Sequence, residues 1–177
     1  MTTTAPAVTS YSVNRLTVDG PASVAEFQQQ YEQAVPPVPR EQVNALVARG
    51  APWSEMIELI DKAAPLGFLI YFRLDMRPVM GLAGDPAGVS YLMGNHILAE
   101  RMYRYQPAVM LYAPLHTMIW QSSDGGTRFT FDRPTDQFGS FATPQVTQVG
   151  MELDQKLATL LEHLGLDVPS QLTARSD

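Results

Sequence analysis

The chain has 177 residues, a formal net charge of −6 and only 17% charged residues. It contains no cysteine, which excludes disulfides, thiolate metal sites, a cysteine nucleophile and thiol redox chemistry. An acidic chain without a long Lys/Arg run lacks the electrostatic footprint of a nucleic-acid binder, and the length is that of one domain with room for an insertion.

Residues 1–10 are Thr- and Ala-rich, with no basic segment followed by an apolar one, so they read as a disordered arm and not a secretory signal. The longest apolar stretches, 67–74 and 107–120, carry polar or proline breaks. Both fall short of the roughly 18 to 20 apolar residues of a membrane helix. A cytoplasmic protein with no membrane partner is expected. Residues 11–18, rich in Tyr, Val, Leu and Thr, predict a first strand. Ser23 and Glu26 form a capping-box pair for a helix whose buried stripe is Val24, Phe27, Tyr31 and Val35, stopped by Pro36-Pro37. Two short helices follow, one over 40–49 closed by Gly50, the other capped by Ser54 and carrying Met56, Ile57, Ile60 and Ala63. They form a helical insertion over about 37–65.

Residues 67–76 alternate as a strand, with Phe68, Ile70, Phe72 and Leu74 on one face and Leu69, Tyr71, Arg73 and Asp75 on the other. A Gly/Pro-punctuated connection over 77–88 leads to a short strand over 89–93. Asn95 caps a helix over 96–106. Residues 108–121 predict a long strand broken at Pro114, Asp124-Gly125 a hairpin turn, and 127–132 the returning strand. Asp85-Pro86 and Asp132-Arg133-Pro134 read as turns. Thr143 caps a final helix with Pro144 at its first position and Val146, Val149, Leu153, Leu157, Leu160, Leu161 and Leu164 on its buried face, ended by Gly165. Residues 167–177 read as a polar tail. Strands grouped between helices predict an α+β fold: one domain over 11–166, a mostly antiparallel sheet, helices on one face and a two-helix insertion before the second strand.

The runs Gly67-Phe68-Leu69-Ile70-Tyr71-Phe72, Tyr91-Leu92-Met93-Gly94-Asn95 and Leu111-Tyr112-Ala113-Pro114-Leu115 carry a resemblance. With the Asp124-Gly125 hairpin, Asp132-Arg133-Pro134 and the Leu153-Asp154 helix, they resemble the bacterial domain-of-unknown-function family 302 over roughly residues 11–166. That resemblance implies a two-layer α+β fold of TATA-binding-protein-like topology and a tendency to dimerise. His96 stands where members often carry Pro after the Gly-Asn pair, and the insertion departs from the shortest members.

Several residues are candidates for chemistry. His116 alternates with Tyr112, Met118 and Trp120 if Pro114 leaves the register intact. That set is either a core or interface patch or an aromatic wall with a general acid/base. Arg73 and Asp75 share a strand face with Tyr71, as a salt-bridged pair or as the polar floor of a cavity. Tyr91, Tyr103 and Tyr105 add amphipathic rings suited to an apolar ligand or to a protein interface. His96 and Glu100, four apart on one helix face, could combine with His116 as a two-His, one-carboxylate metal set. Equally, His96 is solvated and Glu100 pairs with Arg104. No nucleophile elbow, P-loop or dinucleotide fingerprint is present, so no cofactor is expected.

The composition also localises the interest. Between residues 67 and 131 lie six of nine Met and five of seven Tyr, with five Arg against four acids, while the net acidity sits elsewhere. Methionine-rich, aromatic surface fits varied partners. The expected function is a homodimeric domain binding an apolar or amphipathic small molecule in a Tyr/Met-lined cavity on the sheet. Its ligand residues would be Arg73, Tyr71, Tyr91, Tyr112, Met118 and Trp120. The alternatives are a cofactor-independent isomerase, cyclase or hydrolase using His116 or His96 with Asp75, and the metal set.

Overall fold

The computed structural model describes residues 7–21 and 23–174. Five strands pair in one sheet: β1 (Arg15–Asp19), β2 (Leu69–Asp75), β3 (Gly88–Gly94), β4 (Leu115–Gln121) and β5 (Thr127–Asp132). Their order is β1-β5-β4-β3-β2, and every neighbouring pair is antiparallel. Alternation sorts the side chains of β4 and β5 cleanly. Leu115, Thr117, Ile119, Thr127, Phe129 and Phe131 are buried, while His116, Met118, Arg128 and Thr130 turn to the opposite, open face.

Helices cover the first of these faces, as expected for α+β. α1 (Val24–Ala34) begins at Ser23, whose hydroxyl accepts from the Glu26 N–H at 3.2 Å and donates to the Glu26 carboxylate at 2.9 Å. Its Phe27 and Tyr31 are solvent-free against Phe129 and Tyr91. Full burial of side chains of this size contributes about 1.5–3 kcal/mol each relative to exposure. The insertion is two helices, α2 (Arg40–Ala48) and α3 (Trp53–Ala63). α3 starts after Pro52, so Ser54 is not its cap. Met56 and Ile60 of α3 build a second, smaller core with Val38, Ala64 and Leu69. Residues 36–38 lie along the outer edge of β2: Ile70 N–H donates to the Pro36 carbonyl (2.8 Å), and Val38 N–H donates to the Ile70 carbonyl (3.0 Å).

The connection over 77–88 contains α4 (Arg77–Met80) and a 3-10 turn, Gly81–Ala83. After β3 come α5 (His96–Tyr103) and, past β5, α6 (Pro134–Gly139), where the sequence predicted only a turn. α7 (Pro144–His163) supplies Val146, Val149, Leu153, Leu157, Leu160 and Leu161 to the main core. Thr143 does not cap it through its side chain; that hydroxyl donates to the Phe141 carbonyl instead. The segment read as a polar tail carries α8 (Ser170–Thr173), whose Leu172 is 1% exposed against α7; residues 175–177 lie outside the described residues, as do 1–6 of the predicted arm.

Three differences from the expected strands matter for the site. The first strand begins only at Arg15, because Tyr11 leaves the ladder to pack edge-on against Tyr112, the two hydroxyls hydrogen-bonded. The long strand over 108–121 is not continuous. Pro107–Leu111 is a 3-10 turn capped by the Gln106 side chain, the Ala113–Pro114 bond is cis, and the strand starts at Leu115. Two prolines without N–H groups cannot feed a ladder there. Finally, the register runs Ile70 to Met93 and then Phe72 to Leu92, so Tyr71 is an extra residue in β2. This bulge resets the alternation. Phe68 and Ile70 stay in the core, but Phe72 and Leu74 go to the open face at 52% and 45% exposure, and Arg73 turns to the helix side opposite Tyr91.

Candidate functional site

The Gly94-Asn95 pair sets the site. Asn95 Oδ1 accepts from the Ile97 and Leu98 N–H groups at 2.8 and 3.3 Å, and its Nδ2 donates to the Gly67 carbonyl at 3.1 Å. One side chain thus starts α5 and ties it to the chain entering β2, which leaves His96 in the first helical position. The bulge lifts Tyr71 off the ladder toward it. The Tyr71 hydroxyl and His96 Nδ1 are 2.6 Å apart, and the rings lie 4.9 Å apart at 49°. Burial pushes the Tyr71 phenol up and the His96 imidazole down, so both are neutral at neutral pH.

These two rings line a pocket of about 160 Å³. Leu98, Ala99 and Met102 of α5 make one wall, and Pro114 and Leu115 make another. Phe138 and Leu153 lie in the wall from the α6 and α7 side, and Met110, 48% exposed, is the wall residue most open to solvent. Among the described residues no Lys, Arg, Asp or Glu side chain lines it. Tyr71, His96 and Asn95 are its polar residues, and Asn95 is already engaged at both ends. The pocket can therefore hold a compact apolar body with a polar contact at the Tyr71–His96 pair. A broader depression of about 490 Å³ beside Arg101 and Arg104 is less suited, since both guanidiniums are ion-paired, to Glu152 and Glu100.

The other candidates go elsewhere. Arg73 and Tyr91 meet a residue the sequence did not flag, Glu32 of α1. Its Oε1 accepts from Arg73 Nε (2.9 Å), Tyr91 Oη (2.8 Å) and Gln28 Nε2 (3.1 Å). The available signal was an acid beside the buried stripe residue Tyr31, on a strand-facing helix, with Arg73 in need of a partner. Asp75 is bound by Arg77 through its backbone N–H (3.0 Å) and Nε (2.9 Å), which holds its carboxyl down at about 2. His116 sits on the open face with its Nε2 2.7 Å from Ser90 Oγ. Met118 and Trp120 share that face, Trp120 donating to Thr130 Oγ1 at 2.9 Å. Tyr112 does not alternate with them, because it ends the 3-10 turn and packs on Phe138 and Phe141. The candidate set is thus scattered over the molecule, and the pocket takes only Tyr71 and His96 of it. Glu100 pairs with Arg104, and the proposed His96, Glu100, His116 metal set is not assembled. Among the described residues no group of three His, Cys, Asp or Glu side chains stands close enough to hold a metal ion.

The model of the family described as "Domain of unknown function DUF302" matches residues 56–164, more than half of the chain. The chain belongs to the DUF302 family. A solved structure agrees in fold: the crystal structure of uncharacterized conserved protein DUF302 from Bacillus stearothermophilus, 16% identical, superposes with a TM-score of 0.60. The match covers 85% of this chain and 97% of that one. A search of curated proteins finds no match. Within this DUF302 domain every residue of the pocket wall falls inside the matched span, whereas β1, α1 with Glu32, and α2 precede it.

Proposed function

We propose that this DUF302 protein is a cytoplasmic homodimer that binds a compact, mainly apolar small molecule in the pocket beneath α5. The observation that carries this is the pocket itself: about 160 Å³, walled mainly by apolar side chains, with a neutral Tyr–His pair in its lining. A dry apolar cavity of roughly 150 Å³ holds a benzene-sized molecule, so the ligand, or the part of it that enters, is about one ring in size. The test is ligand-observed NMR with toluene as probe. Saturable binding is expected for the wild type and its loss in Ala99→Trp, where the indole occupies the pocket. Absence of binding, or binding that survives the substitution in a folded variant, overturns the proposal.

The homodimer is supported by the open face of the sheet. Phe72 and Leu74 of β2 and Met118 of β4 are exposed there, on the two strands that flank β3. The charged residues of the same face are already paired within it, Arg15 with Asp132 at 2.8 Å and Arg128 with Asp19 at 3.2 Å. A second copy laid on this face buries apolar surface without stranding a charge. A cytoplasmic setting accords with a chain that makes no disulfide.

A second reading, proton-transfer catalysis without a cofactor, is favoured by the 2.6 Å contact between Tyr71 Oη and His96 Nδ1 in the pocket. In it His96 is the acid/base, while His116 and Asp75 have no part in the pocket.

A further inference from the structure

Resting on the pocket as a binding site, we infer that it selects a neutral ligand bearing a hydrogen-bond acceptor, a ketone, aldehyde or ether oxygen, which receives the Nε2–H of His96, with Tyr71 as the positioning residue that sets the imidazole tautomer. Asn95 is used up: its oxygen takes two helix N–H groups and its amide holds the Gly67 carbonyl. Asn95 thereby takes the Ile97 and Leu98 N–H groups of the first turn of α5, so neither is offered to an incoming anion. The Tyr71 hydroxyl is committed to His96 Nδ1. When that hydroxyl donates, Nδ1 is the acceptor and the ring proton belongs on Nε2. Among the described residues no side chain or backbone group bonds Nε2, which leaves an N–H donor on a ring that lines the pocket.

Charge points the same way. Among the described residues no Lys, Arg, Asp or Glu lines the wall. Arg40 donates to the Tyr71 carbonyl and is not among the residues of the wall. A carboxylate or ammonium entering here loses its hydration with no opposite charge to replace it. A neutral oxygen loses far less and regains one hydrogen bond.

Three probes built on one six-membered carbon ring test this: cyclohexanone, methylcyclohexane and cyclohexanecarboxylate, each titrated by NMR against the full chain and against His96→Phe and Tyr71→Phe. Because the alkane is driven from water more strongly, the informative quantity is the effect of each substitution on each probe. His96→Phe is expected to weaken cyclohexanone by about 5- to 10-fold, the worth of one net hydrogen bond, and to leave methylcyclohexane within about twofold. Tyr71→Phe is expected to weaken cyclohexanone by a smaller factor and likewise spare methylcyclohexane. The ring ¹⁵N shifts of His96 in the unsubstituted protein report the tautomer directly and need no variant to fold; Nε2–H is the expected form. If all three probes fail to bind, the pocket reading falls and this inference with it. If methylcyclohexane binds but His96→Phe moves both neutral probes alike, if cyclohexanecarboxylate binds more tightly than cyclohexanone, or if the proton is on Nδ1, the pocket stands and the acceptor-selective reading is overturned.

Discussion

Asn95 and His96 show how much one residue's chemistry depends on its neighbour. Asn95 makes three hydrogen bonds that join α5 to the start of β2. Asn95→Ala removes the cap, at a cost of about 1–2 kcal/mol, and frees the first turn that carries His96. The expected result is a lower denaturant midpoint with an unchanged m-value, together with weaker probe binding. His96 also carries a pH signature. Burial depresses its folded-state pKa below the unfolded value of about 6.5, so the unfolded chain takes up a proton more readily. Its stability contribution is complete above about pH 6.5 and is lost as pH falls through the folded-state value. Denaturant titrations at pH 8 and pH 5 are expected to show a smaller loss of stability for His96→Phe than for the wild type. Asp75 acts in a separate window. Its carboxyl, held at about 2 by Arg77, contributes above its ordinary 3.8 and fades as pH falls toward 2. Of these residues, Asn95 was legible as a cap from the Gly-Asn pair. The Tyr71–His96 contact was not, since the two belong to different elements and Tyr71 reaches His96 only through the bulge.

At the level of elements, α6 is held on α7 by a nearly solvent-free ion pair. Asp154 accepts from Arg133 Nε at 2.8 Å and from the Thr135 N–H at 3.0 Å, its side chain 3% exposed. Burial pushes the Asp154 carboxyl up, against the guanidinium and the backbone N–H that favour its charge. Asp154→Ala leaves the Thr135 N–H without its acceptor and Arg133 with Asp136 at 3.5 Å in place of the closer Asp154, which is expected to cost about 3 kcal/mol by chemical denaturation. Arg133→Met combined with Asp154→Leu is expected to cost less than that single change, because guanidinium and carboxylate leave together, while Asp136, 3.5 Å from Arg133, keeps the two Asn14 N–H donors at 2.7 Å. Phe138 in α6 and Leu153 in α7 both line the pocket, so the melting of this pair also opens its wall. α6 was invisible in sequence because six residues beginning Pro-Thr-Asp match a turn as well as a helical turn. α1 and α7 were legible from their stripes, and β4 and β5 from strict alternation over residues 115–121 and 127–132. In β2 the same period-two rule held to Ile70 and then inverted, since a bulge adds one residue without any local mark in the sequence.

The whole molecule has one face under helices and one open, and the open face is two-sided in character. β2 to β4 present Phe72, Leu74, Leu92, Met118 and Trp120, and β5 and β1 present ion-paired Arg15, Asp19, Arg128 and Asp132. Sedimentation velocity is expected to find a dimer for the native chain and a monomer for Phe72→Lys, with the α5 pocket still binding toluene. A native monomer sinks the dimer proposal and leaves the pocket untouched, because pocket and open face share no residue.

The sequence by itself determined the α+β class, the antiparallel strands, the two main helices, the insertion and the chemistry closed to a cysteine-free acidic chain. These follow from local periodicity, caps and composition, which act over a few residues. Only the tertiary structure decided that Arg73 and Tyr91 serve Glu32, that His116 lies on the open face and that His96 meets Tyr71 in an apolar pocket. Those outcomes depend on the register of β2 against β3 and on where the chain turns at Pro107 and Pro114. Register is a property of two strands at once, and a shift of one residue sends every later side chain to the other face.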